Sequence, residues 1–314
     1  MIKETYDFYS PFNFKLRELN PKIQYQLDLL ASHDLLTRKH SENVANLVYR
    51  ICEYLHCNSQ FTVFCTTCAF LHDIGKLFIP LEILTKPGAL TDEEFEIMKT
   101  HTTLGYNLCY KDLSLRPYAE GALYHHEALN GTGYPKGLTK KEIPYMAQIL
   151  RVADEYDALV SKRHYKTHIS ISETLKILIK DAQPDEYIKT IALDQLAKDS
   201  KLGKINPKIL KVLFKVVIDD TMYEIACVKE YVAHLVNEAE RLKLIDSFNQ
   251  KMILAKNDKK RQYYLNGIQS LLVKGETVEN YKEVLNDYNT TIDNKKFMIA
   301  KLYDEIKIIK KLKI

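Results

Sequence analysis

FTVFCTTCAFLHDIGK, residues 61–76, opens with apolar and small side chains from Phe61 to Leu71, then stops abruptly at His72-Asp73, with Gly75 and Lys76 just behind. A run this long, with no hairpin turn signal at either end, reads as a buried helix ending at His72. Working upstream, Val44, Leu47, Val48, Ile51 and Leu55 recur at three and four residues, the period of an amphipathic helix. Downstream, Thr91 and Glu94 form a capping box that predicts a helix through about Leu108. Ile143–Leu159 and Ile171–Ile179 predict two more helices. No alternating β-branched runs bounded by hairpin turns are present. The fold class is all-α.

Composition agrees with a folded, soluble chain. Of 314 residues, 46% are apolar and 27% charged, which excludes wholesale disorder. No run approaches the roughly 18 consecutive apolar residues of a membrane span; the most apolar window, Leu210–Ile218, is broken by Lys211 and Lys215. Lys3, Glu4 and Asp7 precede no apolar run, so no secretory signal and no membrane span are expected, and a cytoplasmic location is. Six cysteines are too sparse for a disulfide scaffold, and the lone pair Cys65 and Cys68 reads as core. Seven of the ten glycines lie between Gly75 and Gly137, and the last proline is Pro207. The middle of the chain is therefore loop-rich and the end is long helix.

That end has the sharpest period. Val278, Tyr281, Leu285, Tyr288, Ile292, Lys295, Ile299, Leu302, Ile306 and Ile309 follow 3-4 spacing, a coiled-coil seam interrupted by one lysine. Ile225, Val228, Val232, Leu235, Ala239 and Leu242 repeat it upstream and lose register near Asp246 and Asn249. Three tail helices are predicted, at about 222–255, 259–273 and 276–313. The seam can close within one chain as a hairpin or between two chains as a homodimer, and the spacing leaves both open. From Arg241 to Ile314, 16 Lys/Arg face 9 Asp/Glu. Such a surplus is more often a solvated helix face than a nucleic-acid surface, so nucleic acid is not expected as a partner.

The chemistry lies in the histidines. Of ten, most fall in the first 170 residues, and two adjacent pairs stand beside glycine-containing turns: His72-Asp73 before Gly75, and His125-His126 before Asn130-Gly131-Thr132-Gly133-Tyr134-Pro135. His40 and His101 stand alone near predicted helix starts, and Asp154 follows Val152-Ala153. A single His on a helix is usually a core or surface residue. Adjacent histidines on a helix diverge by about 100°, so both cannot turn into one apolar core. Imidazoles with carboxylates and no thiolates suit first-row divalent metals. Spacing alone points to a metal site of unspecified chemistry.

These motifs resemble the HD-GYP family, a branch of the HD phosphohydrolases that cleaves cyclic di-GMP. The resemblance runs through Val152–Leu159 to Ser161, Arg163 and Tyr165 and covers roughly residues 25–215. It implies an HD-type helical bundle preceded by a short segment, 1–24, with residues 216–314 a C-terminal helical, coiled-coil extension outside it. With only about 20 residues ahead of the domain, no receiver or sensor domain is expected there. The resemblance assigns the metal ligands His40, His72, Asp73, His101, His125, His126 and Asp154, with Asp73 bridging two cations.

Two departures from the family pattern carry expectations. A Glu one turn before the first ligand accompanies a third metal in relatives, and Leu36 stands there; two divalent ions are therefore expected, iron or manganese first, with zinc, nickel or cobalt as alternatives. The Arg-Pro-Tyr-Arg motif reads Arg163-His164-Tyr165-Lys166. The implied reaction is hydrolysis of cyclic di-GMP to pGpG, and by a second cut to GMP, through attack of a metal-bridging hydroxide on phosphorus. Lys76 is implied at a phosphate or leaving oxygen, Arg163 and Lys166 on phosphate, and Tyr134 beside the substrate. A related cyclic dinucleotide, cyclic GMP-AMP, is a further candidate substrate. The competing reading is a catalytically weak dinucleotide receptor or partner-docking module; a general HD nucleotide phosphohydrolase is disfavoured by the Gly-Tyr-Pro loop. His33, His56, His168 and His234 have no motif partner.

Overall fold

A computed structural model describes residues 20–161, 170–184 and 202–314. Among these the regular structure is helical, with a single bridge between Asn130 and Thr139 in place of any strand. The helices are α1 Pro21–His33, α2 Leu35–Tyr54, α3 Ser59–Leu71, α4 Leu81–Leu84, α5 Asp92–Lys99, α6 His101–Lys111, α7 Ala119–Tyr124, α8 Tyr145–Ser161, α9 Ile171–Ala182, α10 Pro207–Leu254, α11 Asp258–Leu271 and α12 Tyr281–Lys311. A 3-10 turn, Ile74–Phe78, follows α3 directly. The all-α expectation is borne out. No described helix is long and apolar enough to cross a membrane.

Side-chain caps start several of the helices. Asn20 accepts from Lys22 N–H with Pro21 in the first turn, Asp34 accepts from Leu36 and Thr37 N–H, and Asn58 accepts from Phe61 N–H. Both halves of the Thr91/Glu94 capping box form, and Ser170 and Glu173 form a second.

Three boundaries differ from the sequence reading. The helix opened by Thr91 ends at Lys99 and a new one starts at His101, because Thr100 N–H turns back to the Ile97 and Met98 carbonyls and the His101 ring takes the Met98 carbonyl. The first tail helix begins at Pro207, not near 222, since Pro at the first turn after Asn206, which accepts from Lys208 N–H, starts it early. The last begins at Tyr281, because Thr277 and Asn280 spend their side chains on a local turn.

The chain divides into two compact units, Met1–Ile218 with Ile309–Ile314, and Asp219–Ile308. In the first, α3 is central: Cys65, Cys68, Ala69 and Leu71 are fully buried among Val44, Val48 and Ile51 of α2 and Ile149, Leu150 and Ala153 of α8. Cys65 and Cys68 are free thiols in this core, as the sequence indicates. Close packing is enforced at Gly121, where a Cβ would meet the Cys68 side chain at 2.7 Å.

In the second unit the predicted seam closes within the chain. Tyr281 and Ile292 of α12 are buried against Leu242, Ile245, Leu235 and Ala239 of α10, with Ile268 of α11 completing one cluster. Asp246 and Asn249, where the upstream repeat loses register, both bond the Tyr281 hydroxyl, at 2.8 and 3.3 Å. The polar break in the stripe thus satisfies a buried phenol.

Candidate metal centre

Three histidines sit where helices stop. His72 directly follows α3, His125 directly follows α7, and His101 opens α6 two residues past the end of α5. The last carbonyls of a helix lack intrahelical partners. Each of these rings supplies one: Nδ1–H donates to the carbonyl three residues back, Ala69 from His72 at 2.6 Å, Met98 from His101 at 2.6 Å and Ala122 from His125 at 2.9 Å. A carbonyl only accepts, so Nδ1 carries the proton and Nε2 is left as a bare lone pair.

All three lone pairs turn to one place. Nε2 of His101 and of His125 are 3.2 Å apart. His72 Nε2 and the buried Asp73 Oδ1 have no hydrogen-bond partner. Asp73 presents its two oxygens to different sets: Oδ2 lies 3.3 Å from His72 Nε2 and 3.6 Å from His40 Nε2, whereas Oδ1 lies 3.4 Å from His101 Nε2 and 3.9 Å from His125 Nε2. Asp154 repeats the pattern on the other side, with Oδ1 at 2.9 Å from His40 Nε2 and Oδ2 at 3.6 Å from His126 Nδ1. Ligand atoms of His40, His72 and Asp73, of His101, His125 and His126, and of His72, His125 and Asp154 each fall within 4.8 Å of one another.

The electrostatics follow. Burial and the neighbouring rings hold His125 well below the usual imidazole range, burial and His125 do the same to His126, and burial pushes His101 down to about 4. These rings are neutral at pH 7, the state in which imidazole ligates. Burial works against ionising Asp73 and Asp154, but Lys76 together with the His72 and His101 rings outweighs it for the first, and His40 together with His126 and His72 for the second, and both carboxyls lie well below their ordinary value. Neutral lone pairs and ionised carboxylates converge with too few protons between them. A cation fits this donor set and would take up the orphaned His72 Nε2 and Asp73 Oδ1.

The surroundings fix these groups. His40 donates Nδ1–H to Asp157 Oδ2 at 2.6 Å, a carboxylate–histidine pair that aims Nε2 inward. Lys76 Nζ donates to Asp73 Oδ2 at 2.6 Å; burial opposes its charge but Asp73 overcomes that and raises its pKa. Glu127, fully buried beside the His pair, accepts from Lys136 N–H at 2.7 Å and Leu138 N–H at 2.8 Å, and so ties down the Gly-Tyr-Pro loop. The Tyr134 ring lies 4.8 Å from the His126 ring, with a cis peptide between Tyr134 and Pro135. Arg151 donates to the His126 carbonyl at 2.7 Å while its guanidinium pairs with Glu155.

The HD domain family model matches residues 24–188 of this chain, over half its length. The chain belongs to the HD domain family. The family reading of the motifs is thereby borne out. A cyclic di-GMP phosphodiesterase of Thermotoga maritima is 42% identical over 177 residues, which cover 55% of this chain and 46% of that protein. A 3'3'-cGAMP-specific phosphodiesterase of Vibrio cholerae is 37% identical over 142 residues, 45% of this chain and 31% of that protein. This chain thus spans less than half the length of these relatives. Among solved structures, an HDG"Y"P protein from Bdellovibrio bacteriovorus aligns over 57% of this chain and 51% of its own, at 22% identity and TM-score 0.43.

Within this HD domain the structure brings His40, His72, Asp73, His101, His125, His126, Asp154 and Lys76 together, with Tyr134 at the edge. Arg163 and Lys166 lie outside the described residues, as do His164 and Tyr165. Leu36 is exposed. No motif in the sequence marks Glu127, Arg151 or Asp157 as site residues. Asp157 had a readable signal, three residues beyond Asp154 on one helix face.

Proposed function

We propose that this chain is a metal-dependent phosphodiesterase that opens cyclic di-GMP to pGpG, with residues 25–215 as its catalytic domain. The observation that carries the reading is the division of Asp73 between two histidine sets. Its Oδ2 side, with His40, His72 and Asp154, would hold one divalent cation, and its Oδ1 side, with His101, His125 and His126, a second. Iron or manganese suits a site of imidazoles and carboxylates, with zinc, nickel and cobalt also compatible. Bound there, such ions supply Lewis acidity and a strong oxygen nucleophile at neutral pH.

The chain's own residues do the rest. Asp157 holds the His40 ring with Nε2 turned towards Asp73 and Asp154. Lys76 is a charged donor beside Asp73, at reach for a non-bridging phosphate oxygen or the departing ribose oxygen. Glu127 and Arg151 fix the two ends of the loop that sets Tyr134 against the His126 ring. Arg163 and Lys166 are proposed as further phosphate contacts, on the strength of the motif.

Cyclic GMP-AMP is the second reading, favoured by the Vibrio cholerae relative named for that substrate. The test is one sample, purified without oxygen and loaded with manganese or iron. Elemental analysis is expected to give two metals per chain, with cyclic di-GMP consumed, and Asp73→Ala is expected to abolish both. Two metals with tight dinucleotide binding and no turnover would instead support a receptor.

A further inference from the structure

Helix α5 is short and buries none of its own side chains. It nevertheless carries two large apolar residues, Phe95 and Ile97, which stay 45% and 42% exposed. Phe95 is not idle. Its ring meets Tyr134 edge to face at 6.2 Å, and Tyr134 in turn lies 4.8 Å from the ring of His126. Lys99 sits 5.1 Å over Phe95 and 5.9 Å over Tyr134, and is paired with Glu96 at 2.5 Å. A continuous step of rings therefore leads from a ligand of the metal centre, through a loop tyrosine, to an exposed phenyl group. The cation over both rings fixes their relative setting.

We propose that Phe95 is the platform on which a purine base of the substrate stacks while its phosphate lies at the histidine cluster. The inference rests on the cyclic dinucleotide reading above and deepens it. Three observations support it. A nucleotide carries a flat aromatic base one sugar away from its phosphate, so a base subsite belongs beside a phosphate site and not within it. Base stacking on an aromatic side chain tolerates sequence and needs open ring surface, and Phe95 keeps 45% exposure even with Lys99 over its ring. Finally, a capping box at Thr91 and Glu94 and an ion pair from Glu94 to Lys86 at 2.6 Å hold a helix that buries nothing, so what it displays is rigid. Preorganised display of an apolar ring is what binding gains from and folding does not.

The experiment uses the full chain loaded with manganese. Phe95→Ala and Phe95→Trp are compared with the unaltered protein for KM and kcat on cyclic di-GMP. Binding of a cyclic dinucleotide carrying the fluorescent base 2-aminopurine, whose emission falls on stacking, is followed separately by rapid mixing, before turnover, in the unaltered protein and in Phe95→Ala, both loaded with manganese. Because Phe95 is half exposed, its truncation is expected to leave the melting temperature nearly unchanged. The expected result is a KM raised about tenfold in Phe95→Ala, about 1.4 kcal/mol, with kcat within about twofold, restoration by Phe95→Trp, and quenching lost with the ring. An unchanged KM and quenching in Phe95→Ala, with turnover intact, overturns the subsite and leaves the phosphodiesterase reading standing. No turnover and no binding of any cyclic dinucleotide by the unaltered protein overturns both.

Discussion

At the residue scale, the protonation of each ring is set by what its other nitrogen touches. His40 differs from its neighbours, because both its nitrogens face carboxylates: burial would lower its pKa, but Asp154 and Asp157 raise it to about 10. Removing the negative charge of Asp157 frees the His40 ring to turn. Asp157→Asn is expected to weaken metal binding by about 10- to 100-fold while leaving the fold intact; competition with a metal-binding dye measures it, and unchanged affinity would deny Asp157 this role. The buried rings also fix a pH dependence in the metal-free protein. His101 titrates at about 4 in the fold against 6.5 when free, and His125 and His126 are likewise depressed. The folded chain thus takes up fewer protons than the unfolded one between these values. Its stability is full above 6.5 and declines as the pH falls towards 4. His40 has the opposite sign, adding stability that is complete below 6.5 and lost as the pH rises through about 10. Melting temperature is expected to peak near pH 6.5, where the two windows meet. A curve flat from pH 7 to pH 5 would contradict the neutral-ring assignment.

At the element scale, some helix starts were legible and helix breaks were not. Thr91 with Glu94 is a complete local signal in the chain, whereas the start at Pro207 was missed because the apolar repeat sets the expected start near 222. The stop at Lys99 is different, since it depends on the His101 ring capturing the Met98 carbonyl and on how α6 approaches the 3-10 turn. Gly75 makes that approach: a Cβ there would run into the His101 carbonyl and the Gly105 nitrogen. Gly75→Ala is expected to cost about 3 kcal/mol and to displace His101, lowering both the melting temperature and the metal bound per chain. A variant that melts normally with full metal content would show that the two elements can separate freely. The adjacent pairs His72-Asp73 and His125-His126 were legible because they violate helical patterning, whereas His40, His101 and Asp154 were implied by the family resemblance alone. Glu127 and Arg151 were hidden because their partners are backbone groups, which no spacing rule reveals.

At the scale of the whole molecule, the tail seam was readable as a period but not as a partner. A stripe of apolar residues has the same spacing whether its complement lies in the same chain or another. The structure covers Tyr281 and Ile292 with α10 and α11 of the same unit, and Arg241 ties α10 to Glu276 through two contacts of 2.6 and 2.7 Å and to the Leu271 carbonyl. With that part of the seam filled in cis, the full chain is expected to behave as a monomer of 36.5 kDa in light scattering. A dimer that persists on dilution would assign the remaining exposed residues of α12 to a second copy.

The bonds that stop α3, α5 and α7 have a bearing on descent. Each of those imidazoles closes a helix whether or not an ion is bound, so it has a structural use apart from hydrolysis. A lineage that abandoned turnover would still be under selection to keep His72, His101 and His125. Asp73 and Lys76 have no such second employment as helix stops, and a gene that had drifted from enzyme to sensor would show it there first.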